Sequence, residues 1–376
     1  MTATMITTTM TGTSPAALRF VKWTLGALAL AAVAMPLAVK PVAAQTVAEK
    51  LYAELATLPA AERQKRIEDG ARKEGTFNFI HTWRGGLARN HVQMFEKRYP
   101  FLKVDYVDIG SQDAAERLVA EETVGRHLTD VVSMAVPDMV DILERDLVAN
   151  YPTPAAARIL PQYKGFADPQ NRWLTFYWSE FGLSYNTNLV KEADAPKSWD
   201  DLCKPMFKGQ VSFDPPTVRF LVGVYTMMGE AKYQNWTKCI GANKPIIQRG
   251  HTQRMELMIA GDHMVQGQNY MYTCYQKLTK DPKTPCKGVF SAPVLGLGGA
   301  VVINKNTQHP YASALFADWT LSEESQAYTA KNFRGPVAIK HPFIPDGTNI
   351  VTYGIVPNDV VDKSLKFWDD NVTKVN

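Results

Sequence analysis

Several chemical signatures are absent from this chain. No G-x-S-x-G, no H-E-x-x-H and no G-x-G-x-x-G following a strand occurs, so the local marks of an esterase nucleophile, a zinc peptidase and a dinucleotide fold are missing. No two cysteines have the C-x-x-C spacing of a structural zinc site. The seven histidines are scattered, so a metal centre would have to be assembled from distant loops. Charge of one sign is not in excess either: 41 basic residues face 37 acidic ones. That balance gives no electrostatic footprint for nucleic acid, and no nucleic-acid partner is expected. There is no internal repeat and no low-complexity tract. No cofactor is expected, and no sequence feature pairs two carboxylates for acid–base work. An enzyme built purely by tertiary structure would leave no such marks, so an exported enzyme stays open as an alternative.

A long, strongly apolar run is also missing. Trp23–Val39 is mostly alanine, is interrupted by Pro36, and falls short of the ~20 residues a membrane span needs. With Arg19 and Lys22 before it and Val42-Ala43-Ala44 after it, the run reads as a secretory signal peptide over residues 1–44. Without it the formal charge falls from +4 to +1, since Arg19, Lys22 and Lys40 leave and no acidic residue does. The remainder is longer than one hydrophobic core usually serves, which predicts two lobes. All four cysteines, Cys203, Cys239, Cys274 and Cys286, lie in the second half. An even number in an exported chain predicts disulfides. Cys274 and Cys286 flank the polar loop KLTKDPKTP, which favours a local bridge and leaves Cys203 for Cys239.

What is present is alternating strand and helix. Val47–Glu74 reads as two short helices broken at Pro59, an N-terminal extension over 45–74. From Thr76 the pattern is strand, helix, strand, helix, strand, helix, which predicts a parallel, doubly wound sheet. The proline-free, aromatic and β-branched stretch Trp173–Val190 reads as a long strand crossing to a second α/β body. There the strand Lys208–Phe213, the helix Val218–Gly229 and the strand Met264–Asn269 repeat the theme, and Pro196–Leu202 is expected to open a helix. The Gly-rich strand Leu295–Asn304 returns the chain to the first body, its glycines permitting close backbone packing. It lacks the Lys-Ser/Thr of a phosphate loop. The expected division is 75–178 plus 291–345 for the first lobe and 179–290 plus 346–376 for the second.

Ligands of open α/β sheets bind beyond the carboxyl ends of the strands, so a cleft between two such lobes is the expected site. On the first rim stand Trp83 and Arg84, then Ser111 and Gln112, each loop leading into a helix N-terminus that favours an anion. Arg84 would clamp a carboxylate or phosphate, and Trp83 would offer a stacking face. Asp214, Thr217, Thr252, Asn269, Tyr270 and Tyr272 gather on the second rim, and Trp178 lies on the crossing strand. Taken singly, most of these could be plain caps or turn formers.

The segments KEGTFNFIHTW, FEKRYPFLKVDY, AEETVGRHLTDVV, FGLSYNTNLV, APKSWDDLCKPMFKGQV and HPYASALFADWTLSEESQ together resemble the periplasmic solute-binding proteins of bacterial ABC importers, in the branch that includes ferric-iron binders. The resemblance covers nearly the whole chain after the leader. It implies the type II two-lobed α/β fold, strand hinges, a periplasmic location, a monomer, a small-molecule solute and an inner-membrane ABC permease as partner. The ferric members are similar around Gln268–Tyr272, where they carry two adjacent tyrosines. Here Tyr270 matches the first and Met271 stands at the second. Ala135 stands where those members often have a carboxylate. Fewer hard oxygen donors place an organic or anionic solute ahead of ferric iron or an iron chelate, and no metal ligand is assigned.

Overall fold

The computed structural model describes residues 45–83 and 86–375, so the expected leader and Arg84 lie outside the described residues. Helices α1 (Val47–Thr57) and α2 (Ala60–Glu74) form the N-terminal extension. A reciprocal capping box of Thr46 and Glu49 starts the first, and Pro59 stands just before the second without a side-chain cap bond. The first body follows as β1 (Thr76–His81), α3 (Leu87–Arg98), β2 (Lys103–Asp108), α4 (Ser111–Thr123), β3 (Val131–Ala135) and α5 (Val140–Glu144). Strand β4 (Leu174–Tyr185) then crosses. The second body holds β5 (Val211–Phe213), α6 (Val218–Met228), α7 (Glu230–Ala242), β6 (Ile246–Ile247), α8 (His251–Ala260), β7 (Val265–Tyr270), α9 (Tyr272–Lys280) and β8 (Lys287–Val289). Strand β9 (Val294–Ile303) returns, followed by α10 (Pro310–Trp319), α11 (Glu323–Lys331), β10 (Gly335–Pro336), β11 (Ile350–Tyr353) and α12 (Asn358–Trp368).

Hydrogen bonding runs in the order β2-β1-β3-β9-β4-β7-β5-β6. Strand β1 is parallel to β2 and β3, and β5 is parallel to β6 and β7. The path is continuous because β4 and β9, antiparallel to each other, belong to both lobes. Over Gly299–Ala300 and beyond, β9 pairs with β3, whereas Val294–Leu297 pairs with β11. Likewise Tyr177 and Trp178 of β4 pair with β10, and Phe181–Tyr185 pairs with β7. Both strands therefore change partners within a few residues of each other, at Ser179–Glu180 and Gly298. A strand of this length, at about 3.3 Å per residue, is long enough to serve two cores.

Side-chain alternation separates those cores. In the first lobe Phe77 and Phe79 face α3 and α10, packing with Phe95, Phe316 and Trp319, while Ile80, Val132 and Met134 face Leu118 on the other side. In the second lobe Phe213, Phe220, Trp236 and Trp368 form the centre. Disulfides join Cys203 to Cys239 and Cys274 to Cys286, the pairing the polar loop favours. The β9 glycines lie under aromatic rings: Cβ atoms at Gly296 and Gly299 would meet the rings of Phe166 and Tyr177 at 2.5 and 2.0 Å.

Some elements differ from the sequence reading, which leaves out strands β10 and β11. Residues 230–242, which that reading leaves without an element, are helix α7, with Tyr233, Trp236 and Ile240 buried at helical spacing. The expected helix at Pro196–Leu202 is only a 3₁₀ turn, Asp200–Cys203, because Pro196 and Pro205 close off both sides. The sequence also predicts a last short helix over Ser364–Val372, and it runs instead over Asn358–Trp368.

Candidate functional site

Between the two lobes lies a cavity of about 470 Å³. The first lobe contributes Thr82 and Trp83 after β1, Gly110, Ser111, Gln112 and the exposed Asp113 at the start of α4, and Ala135 at the end of β3. The crossing strands contribute Tyr177, Ser179, Leu297 and Gly298, and the second lobe contributes Arg219, His251, Tyr270 and Tyr272. Arg334, in the turn between α11 and β10, completes it. An outer groove of about 910 Å³ continues from it, sharing Gln112, Arg219, His251 and Tyr270 and adding Asp138, Asp214 and Thr217.

Local chemistry explains these positions. The hydroxyl of Ser111 accepts a hydrogen bond from Ala135 N at 3.0 Å, tying the start of α4 to the end of β3 and leaving its own proton to donate. Gly110 provides no side-chain cap, so the first N–H groups of this 13-residue helix stay open to an anion. The indole of Trp83 is nearly buried, edge-on to Tyr177 with ring centroids 5.1 Å apart, and its Nε1–H has no partner among the described residues.

The second wall is aromatic and cationic. Tyr270 and Tyr272 lie with ring centroids 5.6 Å apart, and His251 stands edge-on to Tyr270 at 4.7 Å. The guanidinium of Arg334 lies 4.4 Å from the centre of the Tyr272 ring. Burial works to lower the pKa of Arg334, but the surrounding tyrosines and Glu180 reverse this and the net shift is upward. Among the described residues no carboxylate lies within ion-pair distance of it. Arg219 is different: its Nε donates to Asp138 at 3.1 Å, its Nη2 donates to the other carboxylate oxygen, and this ion pair joins α6 of one lobe to the turn behind β3 of the other. Burial opposes the charge on Arg219 and Asp138 more than restores it. Burial pushes the Tyr270 phenol up to about 12 against the pull of Arg219 and Arg334. Burial lowers the pKa of His251, so this imidazole is neutral at pH 7.

Of the residues singled out in sequence, Trp83, Ser111, Gln112, Tyr270 and Tyr272 meet in the cavity, with Asp214 and Thr217 in the outer groove. Asp214 is occupied by Gly250 N at 2.8 Å and the buried Arg254 at 2.5 Å, and Thr217 accepts from Gln268 at 2.9 Å. Trp178 faces the opposite side of β4, against Tyr163, Phe166 and His341, because neighbours on a strand alternate. Asn269 is buried and committed to Ser184 and Thr273, at 2.7 and 2.8 Å. Thr252 is exposed on α8, outside both the cavity and the groove. Met271 points away as well, its sulfur beneath Gly182, and Tyr272 is the second phenol of the cavity. Sequence reasoning missed Arg219, Arg334, Tyr177 and Ser179. Arg219 had a weak signal, standing one position into a helix that follows a strand-end loop. Arg334 had none: it follows Phe333, held at φ 58°, far along the chain from the other walls.

Two α/β lobes sharing a pair of strands around a polar cleft define the architecture of a solute-binding protein. The chain belongs to the bacterial extracellular solute-binding protein family, whose model matches residues 128–349. It is 30% identical over 115 residues to a candidate 2-aminoethylphosphonate-binding periplasmic protein of Salmonella paratyphi A, an alignment that spans 31% of each chain. Iron-bound HitA from Pseudomonas aeruginosa superposes with TM-score 0.66 at 18% identity, covering 79% of this chain and 99% of that one. AfuA from Actinobacillus pleuropneumoniae with fructose-6-phosphate bound gives 0.58 at 18% identity, covering 80% and 99%. These likenesses establish the type II two-lobed fold. Among the described residues no helix is long and apolar enough to cross a membrane.

Proposed function

We propose that this protein captures a small organic anion in the interlobe cavity and delivers it, as a periplasmic component, to an ABC permease. The observation that carries the reading is the placement of Arg219 and Arg334, one on each lobe, in one cavity and both close enough to Tyr270 to act on its phenol. An anion held by both guanidiniums makes its full set of contacts only when the lobes are together, so its binding energy favours the closed form. The partner-free Nε1–H of Trp83, the Ser111 hydroxyl and the N-terminus of α4 supply further donors. The rings of Tyr177, Tyr270 and Tyr272 suit an apolar or aromatic body. The lobes on this reading are residues 75–178 with 291–345, and 179–290 with 346–376, bending where β4 and β9 change partners. Trp83, Ser111, Gln112, Tyr270 and Tyr272 are contacts to the solute, and Arg84 adjoins them in sequence.

Bare ferric iron is the less favoured cargo. Its ligands are anionic oxygens, whereas two guanidiniums share the cavity with Tyr270 and Tyr272. Among the described residues no group of three His, Cys, Asp or Glu side chains is placed to hold a metal ion. An iron chelate with net negative charge remains the second reading, favoured by the two phenols 5.6 Å apart. Native mass spectrometry of gently purified protein, with small-angle scattering before and after ligand removal, tests the proposal. A co-purifying organic anion whose removal opens the lobes is expected. Chemical turnover of that solute would instead point to an exported enzyme.

A further inference from the structure

We infer that Asp138 is a charge-selecting residue of the cleft: it biases the site toward singly charged oxyanions and against doubly charged ones. The inference rests on the proposed anion site and concerns which anions that site prefers.

The Asp138 carboxylate takes the Nε/Nη2 edge of Arg219 with both of its oxygens, the fork-on-fork arrangement in which a guanidinium makes its strongest pairing. The side chain of Asp138 is 7% exposed and that of Arg219 is 31%, so the carboxylate is the inner partner and the guanidinium keeps a face on the cleft. Arg219 is shared by the inner cavity and the outer groove, and Asp138 lines the groove beside it. A solute anion that reaches Arg219 therefore meets a guanidinium already neutralised by a carboxylate a few ångströms behind it. Arg334 is not compensated in this way, since the ring of Tyr272 is its close neighbour and no described carboxylate pairs with it.

Charge then decides preference. In a partly buried cleft, repulsion between Asp138 and the solute is weakly screened and grows in proportion to the solute's charge. Attraction to Arg334 also doubles for a dianion, but the attraction Arg219 would add is cancelled by Asp138. A carboxylate needs one unit of compensation, which Arg334 supplies. A phosphate monoester above its second ionisation, near pH 6, carries two units, so Asp138 withholds from it twice the attraction it withholds from a carboxylate. The neighbouring phenols do not change the count, because Tyr270 is protonated and burial likewise raises Tyr353; the exposed Asp113 on the cavity wall is the same in every variant compared below, so its charge leaves the change in ratio to Asp138.

The test compares two probes of one body, benzoate and phenyl phosphate, by calorimetric titration of the full mature protein at pH 8. Wild type should bind both probes, and their affinity ratio sets the reference. Asp138→Asn should shift the affinity ratio toward phenyl phosphate by about tenfold or more. Using the ratio cancels any effect of losing the interlobe ion pair on closure itself. Glu144→Gln, which removes one exposed carboxylate from α5 outside the cavity, should leave the ratio unchanged. Asp138→Ser reads the same quantity should the amide variant not fold. An unchanged ratio in both Asp138 variants, or the same shift in Glu144→Gln, overturns the inference and leaves the anion site standing. Failure of both probes to bind wild type removes the anion site, and the inference with it.

Discussion

The ring of Tyr177 covers Gly299 so closely that a Cβ on the glycine would lie 2.0 Å from Cζ of the ring. The two residues sit opposite each other on the crossing strands, and Tyr177 also stands against Trp83 in the cavity wall. Gly299→Ala is expected to force the ring outward, lowering stability by about 1–3 kcal/mol and weakening solute binding together with it. Urea unfolding and ligand titration of the same sample check both parts. Unchanged affinity would show that the Tyr177 ring is not a wall of the binding site.

Arg334 should separate binding from stability. Its neighbours are rings and its guanidinium faces the cavity, so Arg334→Gln removes a charge-assisted donor without leaving a buried carboxylate unpaired. Affinity for the bound anion should fall about tenfold to a hundredfold, the value of hydrogen bonds to a charged group. The unfolding midpoint should move little. A full-affinity variant would place the anion elsewhere.

Glu180 and His341 form a buried pair on the face of β4 away from the cavity, Oε1 to Nε2 at 2.6 Å. Nδ1 of His341 accepts from the backbone N–H groups of Phe343 and Ile344, both at 3.1 Å, so the Nε2 proton is the one donated to Glu180. His341→Ala abandons a buried carboxylate and two amides, and is expected to cost about 3–5 kcal/mol. Glu180→Gln keeps an acceptor there and should cost clearly less. Equilibrium unfolding of the two variants gives the order, and equal losses would contradict this account of the pair.

Stability should fall on mild acidification. Burial lowers the pKa of His91 to about 3 and of His263 to about 4, both below the usual unfolded value near 6.5. A base with a depressed folded pKa binds fewer protons when native, so its contribution is complete above pH ~6.5 and is lost as pH falls toward the folded value. Between pH 6 and pH 4 each such histidine should cost up to about 1.4 kcal/mol per pH unit. His91 is buried and stacks with Phe176 and with Tyr328, so His91→Gln should flatten that slope even where it lowers stability at pH 7. Denaturant curves across this range measure the slope.

Both disulfides lie in the second lobe, closing loops of 36 and 12 residues. The chain-entropy relation values these at about 4 and about 3 kcal/mol respectively. Reduction should therefore destabilise the second lobe far more than the first. Hydrogen exchange followed by lobe-specific peptides would show this, and uniform loosening of both lobes would contradict it.

Much of the architecture was readable from local order alone. The runs Thr76–His81, Leu87–Arg98, Lys103–Asp108 and Leu174–Tyr185 form the elements their periodicity implies, because alternation and helical spacing are properties of neighbouring residues. The cavity rims at Trp83, Ser111 and Tyr270 were readable for the same reason, since strand order places the loops that follow strands. Local pattern could not say which way a side chain turned. Trp178 and Asn269 lie within the right strands but are spent on the core, and only the packing on each face of β4 and β7 settles that. The two arginines belong to tertiary structure entirely. Arg219 and Arg334 are separated by more than a hundred residues, and they share a cavity because β4 and β9 run antiparallel and carry the chain through both lobes.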